Sequence, residues 1–157
     1  MGGRVLVIDD SFVVLAYVEE VLRKGGHTVV VAEDWGEARN AFRHHDAFHV
    51  ILVDVNLPGM RSGDSLAKSL RVHPKAQDAP IVYFSAESEE YLEKLTASSN
   101  MDGYIIKGQG DDKFLEDVEA FMSQELLSED KSSFGSSDSG EDSENVDEDS
   151  STSWWKD

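Results

Sequence analysis

Five short apolar runs, separated by segments with helical spacing, constrain this chain more than any other feature. They are "RVLVID" (4–9), "HTVVVA" (27–32), "HVILVDV" (49–55), "PIVYFS" (80–85) and "GYIIK" (103–107). Each is apolar at consecutive positions and most are β-branched, so each reads as a strand buried on both faces. The segments between them change period. Val14, Val18 and Val21, with Leu15 and Leu22, form one helical stripe. Asp34 to Glu37 has the form of a capping box opening a helix through Phe42. Leu66 and Leu70 mark a third helix, and Tyr91, Leu92 and Leu95 a fourth. Phe114, Val118, Phe121 and Met122 mark a fifth, entered through Asp111 or Asp112. Strands that alternate with helices and are apolar on both faces predict an α/β fold. Its form is a doubly wound, five-stranded parallel sheet with five helices on its two sides, occupying residues 1–127.

The remaining residues, 128–157, have a different composition. "SEDKSSFGSSDSGEDSENVDEDSSTSWWKD" is acidic, Ser-rich and almost free of aliphatic residues, so it cannot bury enough surface to offset chain entropy. It is expected to be a disordered tail. Two readings stand side by side for it: an entropic, solvating extension, or a docking peptide anchored by Trp154 and Trp155, since Trp is enriched at interface hot spots.

Composition narrows the function classes. The formal charge is -18, of which ten acidic residues against Lys131 and Lys156 place -8 in the tail. A surface of that sign repels nucleic-acid phosphates. The absence of cysteine excludes disulfides and Cys-based zinc sites. No stretch approaches the roughly 20 apolar residues of a membrane span, and "MGGRVLVIDD" enters a strand at once, without the pattern of a signal peptide. A cytoplasmic protein without membrane insertion is expected.

In open α/β sheets ligands bind outside the carboxyl ends of the strands. Here those ends carry Asp9 and Asp10, Asp54, Ser85 and Lys107. Three carboxylates, one hydroxyl and one ammonium would therefore meet at one edge. Clustered carboxylates repel one another unless a cation neutralises them, and hard oxygen ligands suit Mg²⁺. One carboxylate could then serve as an oxygen nucleophile, with aspartyl phosphate as a known product of such a group. Lys107 and Ser85 would hold phosphoryl oxygens. Alone, each residue has a plainer reading: Asp54 as a turn cap, Asp9 and Asp10 as a solvated turn, Ser85 as a strand-end hydroxyl. His44 and His45 diverge on a helix and do not suggest a metal site; Trp35 suits packing near a helix start.

"VLVIDD", "ILVDVNLPGM", "VYFSA" and "YIIK" resemble the response-regulator receiver domain of bacterial two-component signalling, in its single-domain, chemotaxis-like form. The resemblance runs over roughly residues 3–126 and implies strand order 2-1-3-4-5, as in flavodoxin-like folds. It implies Asp54 as phosphoacceptor for a histidine kinase. Mg²⁺ would be held by Asp9, Asp10, the Asp54 carboxylate and the Asn56 backbone carbonyl. Ser85 and Lys107 would bind the phosphoryl group, and Ser85 and Tyr104 would act as switch residues. Tyr104 as plain sheet packing stands beside that role. Asn56 and Glu87 fall where the family tunes phosphate lifetime, in a pairing that suggests a short-lived signal. The implied output is a changed affinity for a downstream protein partner, through a surface around the fourth helix, fifth strand and fifth helix. The protein would be a monomer or weak dimer and not a conventional enzyme.

Two features depart from the family pattern. "KGQG" has Gly108 where a proline in a cis bond is usual, so Lys107–Gly108 is either trans or a strained cis bond; Gly108 and Gly110 predict a mobile loop before the fifth helix. "LPGMRSGDSL" reaches its second glycine one residue late, an insertion after Met60 beside the phosphorylation site. These departures leave open a pseudo-receiver, a scaffold acting through its surface and acidic tail without phosphorylation. An aspartate-nucleophile phosphatase generally needs a second acid where Asn56 stands. A flavodoxin needs a Ser/Thr/Gly-rich loop where "DDSFVV" stands.

Overall fold

The computed structural model describes residues 2–45, 47–57, 68–76 and 78–134, with side chains through Ser123. The expected insertion after Met60, Leu66 and the tail from residue 135 on, with its Trp154–Trp155 anchor, lie outside the described residues; residues 128–134, expected to be disordered, instead continue the last helix. In chain order the elements are β1 (Arg4–Ile8), α1 (Phe12–Lys24), β2 (Thr28–Ala32), α2 (Trp35–His44), β3 (Val50–Asp54), α3 (described at 68–71), β4 (Ile81–Ser85), α4 (Glu89–Ala97), β5 (Gly103–Ile106) and α5 (Asp111–Phe134).

The strands form one parallel sheet in the order β2-β1-β3-β4-β5. Successive side chains leave a strand on opposite faces, and the two cores follow that parity. Leu6, Ile8, Ile51, Val53, Ile81 and Tyr83 join Phe42 of α2 and Leu70 of α3 on one face. Val5, Val7, Val50, Leu52, Val82 and Ile105 meet Leu15, Val18 and Leu22 of α1 and Phe114 and Val118 of α5 on the other. All five residues of β3 are buried. At about 1.5–3 kcal/mol per large apolar side chain, Val50 to Val53 alone hold this strand firmly at the sheet centre.

Local signals set the helix starts. Ser11 accepts the Val14 N–H and caps α1. Asp34 accepts the Glu37 N–H at 2.9 Å, while Glu37 reaches back to the Glu33 N–H at 2.7 Å, a variant of the expected capping box. Ser88 caps α4 through the Tyr91 N–H. α5 is entered through Asp111, as expected. Asp111 is already its first residue, the Gly110 carbonyl takes the Phe114 N–H at 3.0 Å, and Asp111 Oδ1 accepts from Tyr17 of α1 at 2.8 Å. Trp35 packs against the α2-side core, as expected of a helix-start residue.

Lys107–Gly108 is trans, and no cis peptide occurs among the described residues. Gly108 has φ +86° and Gly110 φ +100°. Proline holds φ near −65°, so the loop after β5 follows a path that the usual proline could not take.

Candidate functional site

Each functional side chain stands at or just past a strand's carboxyl end, because buried apolar residues fill the positions before it. Asp9 follows Ile8 and is fully buried; Asp10 beside it is exposed. Asp54 closes β3 with 6 % of its surface exposed, and Ser85 closes β4 with 1 %. Lys107 follows Ile106, and its backbone N–H is tied to the Ser85 carbonyl at 2.7 Å.

Three of these side chains are fixed by the same device. Asp9 Oδ1 accepts the Ser11 N–H at 2.9 Å, Asp54 Oδ1 the Asn56 N–H at 3.2 Å, and Ser85 Oγ the Glu87 N–H at 3.1 Å. In each case a strand-end oxygen takes the N–H two residues on, a local turn that aims the side chain without a distant partner. Asn56 and Glu87 thus sit at the mouth of the site, both exposed.

The carboxylates of Asp9, Asp10 and Asp54 lie within 4.8 Å of one another. Lys107 Nζ stands 2.7 Å from Asp9 Oδ2 and 3.7 Å from Asp54 Oδ1. It also lies 5.2 Å from the centre of the Phe84 ring, which gives the ammonium an aromatic floor. The Lys107–Asp9 contact is an ion pair rather than a directed hydrogen bond, so Asp9 Oδ2 is a buried carboxylate oxygen still lacking a directed donor among the described residues. Burial pushes the Asp54 carboxyl up from its ordinary range. The Asn56 N–H and Lys107 pull it down, and the charges of Asp9 and Asp10 raise it again. Among the described residues one ammonium faces three carboxylates, which leaves an electrostatic deficit.

That deficit has the chemistry of a hard-cation site. Mg²⁺ binds one or two carboxylates and keeps several waters, and the buried, underserved Asp9 Oδ2 is an oxygen that such an ion would satisfy. Asp9, Asp10 and Asp54 fit it, with the Asn56 carbonyl close in sequence. No other group of three acidic or histidine ligands meets among the described residues.

Tyr104 lies apart from the carboxylates. It is half-buried on β5, paired in register with Tyr83, and its hydroxyl points toward Glu89 and Glu93 of α4. Those two glutamates, and Phe84 beneath Lys107, were not singled out from the sequence. The i, i+4 spacing of the glutamates was visible there, but not that β5 runs alongside α4. A groove lined by Val13, Val14, Tyr17, Phe84 and Phe114, among others, opens beside Lys107 between α1 and the loop after β5.

Comparison with known proteins agrees with this geometry. The family model of the response regulator receiver domain matches residues 5–119. The chemotaxis protein CheY of Pseudomonas aeruginosa is 25 % identical over 104 residues, covering 66 % of this chain and 83 % of that protein. A CheY homologue of Campylobacter jejuni is 30 % identical, over 66 % of this chain and 80 % of its own length. The gliding motility regulatory protein of Myxococcus xanthus is 29 % identical over 68 % of this chain, which spans only 13 % of that larger protein. Among solved structures, the response regulator CheY4 of Vibrio cholerae superposes with a TM-score of 0.66 at 24 % identity, over 77 % of this chain and 99 % of that one. The receiver domain of the Pseudomonas aeruginosa sensor histidine kinase PA1611, which carries a magnesium ion in its active-site cleft, gives 0.65 at 20 % identity, over 78 % and 99 %.

Proposed function

The chain belongs to the response regulator receiver family, in its CheY-like form, and from that premise we propose that it accepts a phosphoryl group on Asp54 from a histidine kinase and signals through a phosphorylation-dependent protein contact. The observation that carries this reading is the cluster itself: three carboxylates within 4.8 Å, with Lys107 reaching two of them.

The transfer is a displacement at phosphorus. Asp54 Oδ1 is engaged by the Asn56 N–H and faces Lys107, so the other oxygen is offered to the donor. A new O–P bond forms as the donor's N–P bond breaks, and the electron pair returns to the donor imidazole, which takes up a proton. Mg²⁺, when bound, neutralises charge on the carboxylates and on the phosphoryl oxygens. Lys107 then exchanges part of its pairing with Asp9 and Asp54 for the phosphoryl group, and the Ser85 hydroxyl takes another phosphoryl oxygen. This is electrostatic stabilisation and positioning, with no turnover of a substrate.

Phe12 and Val13, each 67 % exposed at the start of α1 beside the site, offer apolar surface on which a donor domain can rest. Ser85 and Tyr104 would pass the phosphorylated state to the α4, β5 and α5 face, shifting a two-state surface toward its partner. Asn56 and Glu87, exposed at the mouth, would admit water and keep the signal short. No described helix is long and apolar enough to cross a membrane, which supports action in the cytoplasm.

The test is labelling of the full chain with acetyl phosphate, with Mg²⁺ and with excess chelator, beside Asp54→Ala. Mg²⁺-dependent labelling lost in the variant is expected, with decay in minutes. Equal labelling of Asp54→Ala, or none of the wild type, would overturn the proposal. A half-life of hours would remove the short-signal reading alone.

A further inference from the structure

Tyr104 sits on β5, the strand at the edge of the sheet, so α4 is its neighbour on that side. Its ring packs against the core that also holds Tyr83 and Leu95. Its hydroxyl lies 3.3 Å from Glu93 Oε2 and 3.4 Å from Glu89 Oε2. Glu89 and Glu93 are one helical turn apart on α4, and both are exposed. Like charges at that spacing repel. A phenol proton shared between them gives each a hydrogen bond in turn and relieves the repulsion. Burial, then the charges of Glu93 and Glu89, push the Tyr104 phenol up to about 12. Lys113 of α5 is paired with Asp117 at 2.8 Å and also feels the Glu116 and, more weakly, the Glu89 charge, so it flanks the two carboxylates and the phenol without being theirs alone.

Ser85 lies on the same side of the sheet. It continues the Ile81, Tyr83 series of β4, whose side chains leave on the α2, α3 and α4 face, and Tyr104 is the register partner of Tyr83. A ring that turned inward along that face would approach Ser85, and its hydroxyl would first have to leave both glutamates.

We propose that Glu89 and Glu93 form a carboxylate latch that holds the Tyr104 hydroxyl outward over α4 and sets how readily the ring turns toward Ser85 when Asp54 is phosphorylated. This rests on the phosphorylation reading above and adds two positioning residues to it. At 3.3 and 3.4 Å these hydrogen bonds to charged acceptors are long, and exposure at the sheet edge weakens them further. Their loss is expected to shift the inward population about two- to threefold. Neither glutamate packs into the core, so their replacement leaves the fold intact.

The experiment uses the full chain with 3-fluorotyrosine incorporated, the Tyr104 fluorine signal being assigned with Tyr104→Phe. Wild type, Glu89→Ala/Glu93→Ala and Glu89→Gln/Glu93→Gln are compared with and without acetyl phosphate and Mg²⁺. In the alanine pair the Tyr104 fluorophenol should titrate lower than it does in the wild type, toward the value of a free fluorotyrosine measured under the same conditions. Its fluorine signal should move toward the phosphorylated position before any phosphodonor is added. The glutamine pair keeps the acceptor oxygens without their charge and should fall between. An unchanged Tyr104 titration and signal in the alanine pair, with Asp54 still labelled, would overturn the latch alone. A wild-type Tyr104 signal that ignores labelling of Asp54 would overturn the switch reading and the latch's part in it. An absence of labelling in every variant would overturn the phosphorylation reading, leaving the titration to judge the hydrogen bonds.

Discussion

Asp54→Asn should make the metal-free protein more stable. Its carboxylate lies within 4.8 Å of those of Asp9 and Asp10, and Lys107 stands 3.7 Å from Oδ1. At an effective dielectric near 20, a like-charge pair at that spacing costs about 3.5 kcal/mol, and the Lys107 pair returns about 4.5 kcal/mol. Two repulsive partners and burial outweigh one attractive partner, so ionised Asp54 is a net cost of about 1–2 kcal/mol once solvent screening is allowed for. The asparagine amide keeps an oxygen for the Asn56 N–H and removes the charge. The sign in pH follows from the raised carboxyl of Asp54. A group whose folded pKa exceeds its unfolded value costs nothing below the unfolded value, about 3.9. Its cost grows as pH rises toward the folded value and is complete above it. The assay is urea unfolding by circular dichroism in excess chelator from pH 4 to 8, repeated with Mg²⁺ at pH 7. The variant should lead by about 1–2 kcal/mol at pH 7, with the gap closing toward pH 4. Mg²⁺ should stabilise the wild type more than the variant, because bound ligand adds stability only where its site is intact. A variant less stable than wild type in chelator would refute the reasoning, since Lys107 would then more than offset the cluster.

Other residues make separate predictions. His73 is buried against Phe42, ring centres 4.4 Å apart, and burial, with the Lys75 charge, lowers its pKa to about 4. The unfolded chain therefore binds a proton that the fold refuses. His73 should cost up to about 3 kcal/mol as pH falls from 6.5 toward 4, opposite in sign to Asp54, and urea unfolding of His73→Phe should lack that component. Gly108→Ala should lower stability by about 1 kcal/mol, because φ +86° is unfavourable for any residue with a Cβ although no atom stands in its way; a thermal midpoint equal to wild type would count against it. Ser88→Ala removes the α4 cap on the Tyr91 N–H and should cost about 1 kcal/mol by urea unfolding. Lys107→Met leaves Asp9 buried without its cation; a loss of about 3–5 kcal/mol is expected in chelator, partly restored by Mg²⁺.

The sequence by itself determined the layers, the sheet and most of the site. Strands apolar on both faces and alternating with helices predict a covered parallel sheet, and its carboxyl edge is where Asp9, Asp10, Asp54, Ser85 and Lys107 then fall. Those residues are legible because each closes a strand or stands within two residues of its end, which is a local relation. The tertiary structure decided what depends on which elements lie side by side. That Lys107 pairs more closely with Asp9 than with Asp54 depends on distances across the sheet edge between β1, β3 and β5. That Asp111 accepts from Tyr17 follows from α5 lying against α1. That Glu89 and Glu93 reach one phenol follows from α4 lying along β5. Periodicity reports which face of an element is buried; it does not report the neighbour or the distance across the gap. The balance of charge at Asp54 and the hold on Tyr104 are set by those distances.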